Sequence, residues 1–158
     1  MACHTCSFTV GSAEQTAQRA VALGALLRPG DTILLDGVVG AGKTHFARHL
    51  IQSLLDVAED VPSPTFTLVQ TYDTRSGSLW HADLYRLSSV FEIEELGLTE
   101  AFETAICLIE WPDRLAQLTP NDAMTIRFAQ GAPENSRTLT VDWTDPKWEA
   151  VVLSWKAS

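Results

Sequence analysis

The alternation of apolar and polar positions divides the chain into short elements with turn chemistry between them. A strand-like piece covers Phe8 to Val10, and Ser12 with Gln15 makes a capping box. Ala17, Ala20, Val21, Gly24 and Leu27 follow at helical spacing until Pro29-Gly30-Asp31 stops the helix. Thr32-Ile33-Leu34-Leu35 is an apolar, partly β-branched strand, and His45 to Leu55 is a helix with Phe46, Leu50 and Leu54 as its stripe. Prolines 62 and 64 hold Val61 to Phe66 extended ahead of an alternating run, Thr65 to Tyr72. The turn residues Asp73 to Ser78 then lead to Leu79-Trp80-His81-Ala82-Asp83, which predicts a β-hairpin.

Ser89 and Glu92 start a second helix that runs to Leu96 and stops at Gly97, and a shorter helix covers Thr99 to Phe102. Ala105 to Ile109 is continuously apolar, the pattern of a strand buried on both faces, and Glu110-Trp111-Pro112 closes it. Two more strands are predicted at Met124 to Phe128 and Thr138 to Asp142. After Asp145-Pro146 a last helix carries Trp148, Val151, Val152 and Trp155 at i, i+3, i+4 and i+7, a core-facing stripe. Strands alternating with helices predict an α/β fold: one sheet, largely parallel in its core, with a β-hairpin and flanking helices. The whole chain, 1–158, reads as a single domain with residues 1–6 a flexible terminus, and no internal repeat is present.

Composition narrows the function classes. With 158 residues, 46% hydrophobic and 20% charged, the chain has the make-up of a globular domain with a real core. A net charge of −9 argues against gripping nucleic acid through its phosphates, so contact with RNA is expected to be indirect. Among only 11 Lys and Arg, the cations Lys43, Arg48 and Arg86 stand close to the predicted site. No apolar run approaches the roughly 20 residues of a membrane span, and the N-terminus lacks the pattern of a secretory signal, so a cytoplasmic location is expected. Cys107 lies in the apolar run and reads as a buried small hydrophobe, while Cys3 and Cys6, with His4 between them, are an incidental C-x-x-C pair.

The chemistry concentrates at Gly37-Val38-Val39-Gly40-Ala41-Gly42-Lys43-Thr44, which has the spacing G-x-x-x-x-G-K-T and lies between a strand and a helix. Gly37, Gly40 and Gly42 allow backbone N–H groups to turn inward around phosphate oxygens, with Ala41 between them. Lys43 reaches the β- and γ-phosphates, and the Thr44 hydroxyl is a Mg²⁺ ligand at a helix N-terminus that favours anions. Such a loop needs an acid for the metal and a group for the nucleophile. Glu110, at the end of the apolar strand, suits the first, and Asp83 suits orienting or deprotonating a water. Each also fits an exposed strand-end acid, Asp83 paired with Arg86. Thr65 is either a switch hydroxyl that senses the γ-phosphate or a turn threonine bonded to its own backbone.

Five blocks in order carry a family resemblance: Gly40-Ala41-Gly42-Lys43-Thr44, Ser63 to Val69, His81-Ala82-Asp83-Leu84-Tyr85-Arg86-Leu87, Glu95-Leu96-Gly97-Leu98 and Ile109-Glu110-Trp111-Pro112. Together they resemble the TsaE (YjeE) family, bacterial P-loop ATPases that support threonylcarbamoyl modification of the adenosine next to the tRNA anticodon. The resemblance implies slow ATP hydrolysis with Mg²⁺ in a complex with TsaB and TsaD, where TsaD transfers the threonylcarbamoyl group and ATP resets the complex between rounds. Carried over by motif, Gly37 to Thr44 bind phosphate, Thr44 and Glu110 hold Mg²⁺, Asp83 is the catalytic carboxylate and Thr65 belongs to a switch-like loop. Trp111 lies beside the nucleotide, with Ser12 and Arg137 approaching from flanking segments. Val38 and Val39 depart from the acidic residue and leucine usual there in the family, and no motif matches Asp113 to Ser158 closely.

Two other classes fit the loop. A small-molecule P-loop kinase needs an arginine-rich lid, whereas Arg114, Arg127 and Arg137 are scattered. A nucleotide-gated binding module needs the same loop without a required hydrolysis step. A GTPase is disfavoured because no Asn-Lys-x-Asp motif is present.

Overall fold

The computed structural model describes residues 3–38, 40–64, 67–131 and 136–158. Its centre is a seven-stranded sheet in the order β1-β7-β6-β2-β5-β4-β3. The strands are β1 (His4–Val10), β2 (Thr32–Asp36), β3 (Val69–Thr74), β4 (Gly77–Asp83), β5 (Ile106–Glu110), β6 (Met124–Gln130) and β7 (Arg137–Trp143). β6, β2, β5 and β4 run parallel, and antiparallel pairs close both sides: β3 on β4, and β7 with β1 beyond β6. The predicted largely parallel core with a β-hairpin is the fold observed.

Side-chain alternation assigns each strand residue to a layer. Ile33 and Leu35 of β2, with Ile106 and Leu108 of β5, face α1 (Ala13–Gly24), α2 (Lys43–Leu54) and α5 (Trp148–Ala157). Leu34, Cys107 and Ile109 face the other way, toward α3 (Val90–Glu95), α4 (Leu98–Thr104) and the 3-10 segment Pro112–Leu118. Every residue of β5 is buried, which is why its sequence is a continuous apolar run. Trp148, Val152 and Trp155 all join the α1/α2 layer, and Trp155 donates its indole N–H to the Arg19 carbonyl at 3.0 Å. The stripe of α5 is core, as its spacing predicts.

One element boundary and one side-chain placement differ from the sequence expectation. β1 begins at His4, because the whole segment to Val10 pairs with β7, so residues 4–6 are strand and not part of a flexible terminus. Pairing on one side only lets polar residues occupy an edge strand, which weakens the apolar signal. β3 begins at Val69, inside the alternating run Thr65 to Tyr72, and just before it Leu68, at φ 68°, donates its N–H to the Pro64 carbonyl at 2.7 Å. Arg48 is directed to the segment beyond α2, donating to the Val61 carbonyl at 3.0 Å.

The connectivity places the site. From β2 the chain proceeds through α2 and the β3–β4 hairpin on one side, while β5 is followed by a crossing to β6 on the other side of β2. This reversal opens a crevice at the carboxyl ends of the parallel strands. Among the described residues no helix is long and apolar enough to cross a membrane.

Cys107 tests the two-faced burial of β5. It is a free thiol, 0% exposed, and burial pushes its pKa up to about 12. A thiol reagent at pH about 8 is expected to label exposed Cys3 in the native protein and to reach Cys107 only after denaturation. Equal labelling of the two in native protein would contradict this packing.

Candidate functional site

The loop between β2 and α2 is built from backbone geometry. Asp36 Oδ1 accepts the Gly37 N–H at 2.9 Å, and the Ala41 N–H returns to the Val38 carbonyl at 3.1 Å. Gly37, at φ 145°, sits so close to β6 that a Cβ there would lie 2.8 Å from the Phe128 carbonyl oxygen. Gly42 is the N-cap of α2 and has no side-chain cap. Each of the other described α-helices has an acid in its first turn, namely Glu14, Glu92, Glu100 and Glu149, and α2 has none. A 12-residue helix with no side-chain cap and no acid of its own in the first turn keeps N–H groups at its start for an anion. Arg137 supports the loop from β7, donating through Nε to the Ala41 carbonyl at 3.2 Å. Val38 is 74% exposed, and Val39 lies outside the described residues.

Parallel pairing brings the acids to this point. Asp83 and Glu110 are register partners at the carboxyl ends of β4 and β5. Alternation points both toward α2, on the side of Leu79 and Leu108. Both are buried, at 7% and 2% exposure, and so are not the exposed strand-end acids that spacing alone also allowed. Thr44 Oγ1 donates to Glu110 Oε1 at 2.7 Å, and His81 Nε2 lies 2.7 Å from Glu110 Oε2. Asp83 Oδ1 accepts the Tyr85 N–H at 3.0 Å, while the Asp83 N–H bonds the Leu68 carbonyl at 2.9 Å, joining β4 to the loop that precedes β3. Thr65, the expected switch residue, lies outside the described residues.

Lys43 is 5% exposed, donates to the Gly37 carbonyl at 2.5 Å and lies 3.8 Å from the centre of the Trp111 ring. Burial pushes its pKa below the ordinary value, with Glu110, then Asp83, Asp36 and Asp113 pulling it back. Trp111 holds a left-handed backbone, φ 59° and ψ 56°, which is unusual for a bulky residue and sets the ring beside Lys43 and Tyr85. Gly40, Gly42, Lys43, Thr44, Asp83, Glu110 and Trp111 line one cavity of about 470 Å³. Ser12 and Arg137 line a second, of about 480 Å³, which shares Gly42 and His45 with the first.

The donor set fits magnesium. A hydroxyl and a carboxylate are hard oxygen ligands, and magnesium in phosphate sites takes one or two carboxylates together with phosphate oxygens. Sequence reasoning assigned no role to His81, although its i, i+2 relation to Asp83 puts both on the α2 side. His45 was also missed; it lines both cavities and its Nε2 lies 2.9 Å from the Ala13 carbonyl, tying α2 to the start of α1.

Comparison with known proteins gives a consistent result. The family model described as threonylcarbamoyl adenosine biosynthesis protein TsaE matches residues 10–139. The tRNA threonylcarbamoyladenosine biosynthesis protein TsaE of Rickettsia bellii is 41% identical over 119 residues, 75% of this chain and 83% of that protein. The protein of the same name from Bacillus subtilis is 33% identical over 137 residues, 86% and 84% of the two chains. The crystal structure of Bacillus subtilis YdiB superposes with a TM-score of 0.81 at 25% identity, over 99% of this chain and 97% of that one.

The glycines of the loop are not equivalent. A Cβ at Gly37 meets backbone at 2.8 Å, whereas at Gly40 nothing lies within 4 Å. Gly40→Ala is expected to cost only the left-handed strain of about 1–2 kcal/mol, and Gly37→Ala more, in denaturant unfolding. Equal cost would show that the Gly37–Phe128 approach is not a constraint.

Proposed function

The chain belongs to the TsaE family, and from that premise we propose that it binds and slowly hydrolyses ATP with Mg²⁺ as a subunit of the tRNA N6-threonylcarbamoyladenosine machinery. The observation that carries this reading is the convergence of Lys43, Thr44, Asp83 and Glu110 at the N-terminus of α2, a helix with no side-chain cap and no acid of its own in the first turn. The backbone N–H groups of Gly42, Lys43 and Thr44 bind the phosphates, and Lys43 exchanges its Gly37 contact for them. Thr44 and Glu110 hold magnesium, which when bound neutralises charge that develops on the transferred phosphate. Asp83, buried beside Glu110, orients the attacking water and takes its proton. Ser12, His45 and Arg137 line the neighbouring cavity, which can hold the nucleoside end. Trp111 and Tyr85 wall the phosphate end and limit water there.

The partners in this reading are TsaB and TsaD, with tRNA contacted only through the complex. Support comes from the names of the relatives and from the acidic charge of the chain, which disfavours direct RNA binding. The low intrinsic rate follows from the lack of an arginine finger in the sequence motifs, a group that a partner can supply.

The roles separate in variants. Asp83→Ala is expected to retain ATP binding and to lose phosphate release by at least about 10²-fold, the range of a general base. Lys43→Ala is expected to weaken binding itself. Calorimetry and a phosphate-release assay read the two, and hydrolysis by Asp83→Ala equal to wild type would refute the assignment.

A further inference from the structure

Glu110 is held from two elements at once. Its Oε1 accepts from Thr44 on α2, and its Oε2 faces His81 Nε2 on β4, both at 2.7 Å. His81 is 0% exposed, and its other ring nitrogen, Nδ1, has no hydrogen-bond partner among the described residues. A carboxylate only accepts, so the ring proton belongs on Nε2. A proton on Nδ1 would be a buried donor without an acceptor, which is the costlier arrangement. The terminal torsion of a glutamate is broad, and one donor leaves the carboxylate free to turn. Thr44 donates its hydroxyl proton to Oε1 and keeps its oxygen lone pairs for a cation, but that one bond leaves Oε2 without a donor.

We propose that His81 is a positioning residue for Glu110: its single N–H on Oε2 keeps Oε1 directed at the Thr44 hydroxyl, the pair of oxygens that receives the divalent cation. This rests on the reading of Thr44 and Glu110 as magnesium ligands. His81 touches neither nucleotide nor water in this scheme and acts through Glu110. It also explains why a polar ring is retained at a fully buried strand position beside Leu79, where an apolar residue would pack without a hydrogen-bonding demand.

Two measurements test it. Ring ¹⁵N spectra of the nucleotide-free, metal-free protein, with His81 assigned by its absence in His81→Gln, are expected to show the proton on Nε2; any form protonated on Nδ1 overturns the proposal. Binding of a non-hydrolysable ATP analogue is then followed by calorimetry as magnesium is raised. In His81→Leu the half-effective magnesium concentration should rise roughly 10- to 100-fold, the size seen when a partner of a metal ligand is lost, with magnesium-free binding kept. His81→Gln, whose amide N–H reaches the same oxygen, should recover most of the loss. An unchanged magnesium midpoint in His81→Leu, no recovery in His81→Gln, or loss of magnesium-free binding would overturn the positioning role. If magnesium has no effect on the wild type, the metal-site reading itself falls and this inference with it.

Discussion

A carboxylate taken almost wholly out of water must have partners, and Glu110 is the point at which this requirement shapes the molecule. Its partners come from three directions: the Thr44 hydroxyl from α2, the His81 ring from β4 and the nearby charge of Lys43. Meeting them fixes the position of α2 above the sheet and the register of β4 against β5. It also requires β2 to lie beside β5, so that the loop leaving β2 delivers Lys43 and Thr44 to the same place. The parallel core serves this convergence, because parallel strands bring their carboxyl ends, and the acids on them, to one rim.

The loop itself is held by contacts from several elements. Asp36 takes the first N–H, β6 presses against Gly37, Arg137 takes the Ala41 carbonyl and Lys43 takes the carbonyl of Gly37. α2 alone among the described α-helices carries no acid of its own in the first turn; the acids at its N-terminus, Asp83 and Glu110, come from β4 and β5. Trp111 adds a wall, held in a backbone conformation that costs about 1–3 kcal/mol and is sustained by its contacts with Lys43 and Tyr85.

Much of this was legible in the residue pattern. The glycine spacing behind an apolar strand specified the loop, and the run Ala105 to Ile109 specified a doubly buried strand with Glu110 at its end. The stripe of α5 specified core. The start of β1 was not legible, because pairing on one side alone lets polar residues occupy an edge strand. Nor was the start of β3 at Val69, which the alternating run Thr65 to Tyr72 does not mark. His81 was hidden for another reason: a histidine among apolar neighbours is ordinary, and only the register of β4 with β5 shows that it meets Glu110. Ser12 and Arg137 are more than a hundred residues apart in sequence, and the packing of α1 and β7 around the loop brings them to one cavity.

In the proposed reading a partner responds to hydrolysis at this site, which joins the geometry to the tRNA modification in which the relatives are named. The most direct test is reconstitution with purified TsaB, TsaD, tRNA, ATP and a threonylcarbamoyl donor, counting threonylcarbamoyladenosine formed per TsaD. The account predicts repeated rounds when this chain and hydrolysable ATP are both present, and arrest near one round when either is left out. Equal yields with and without the chain, or with a non-hydrolysable analogue in place of ATP, would contradict it.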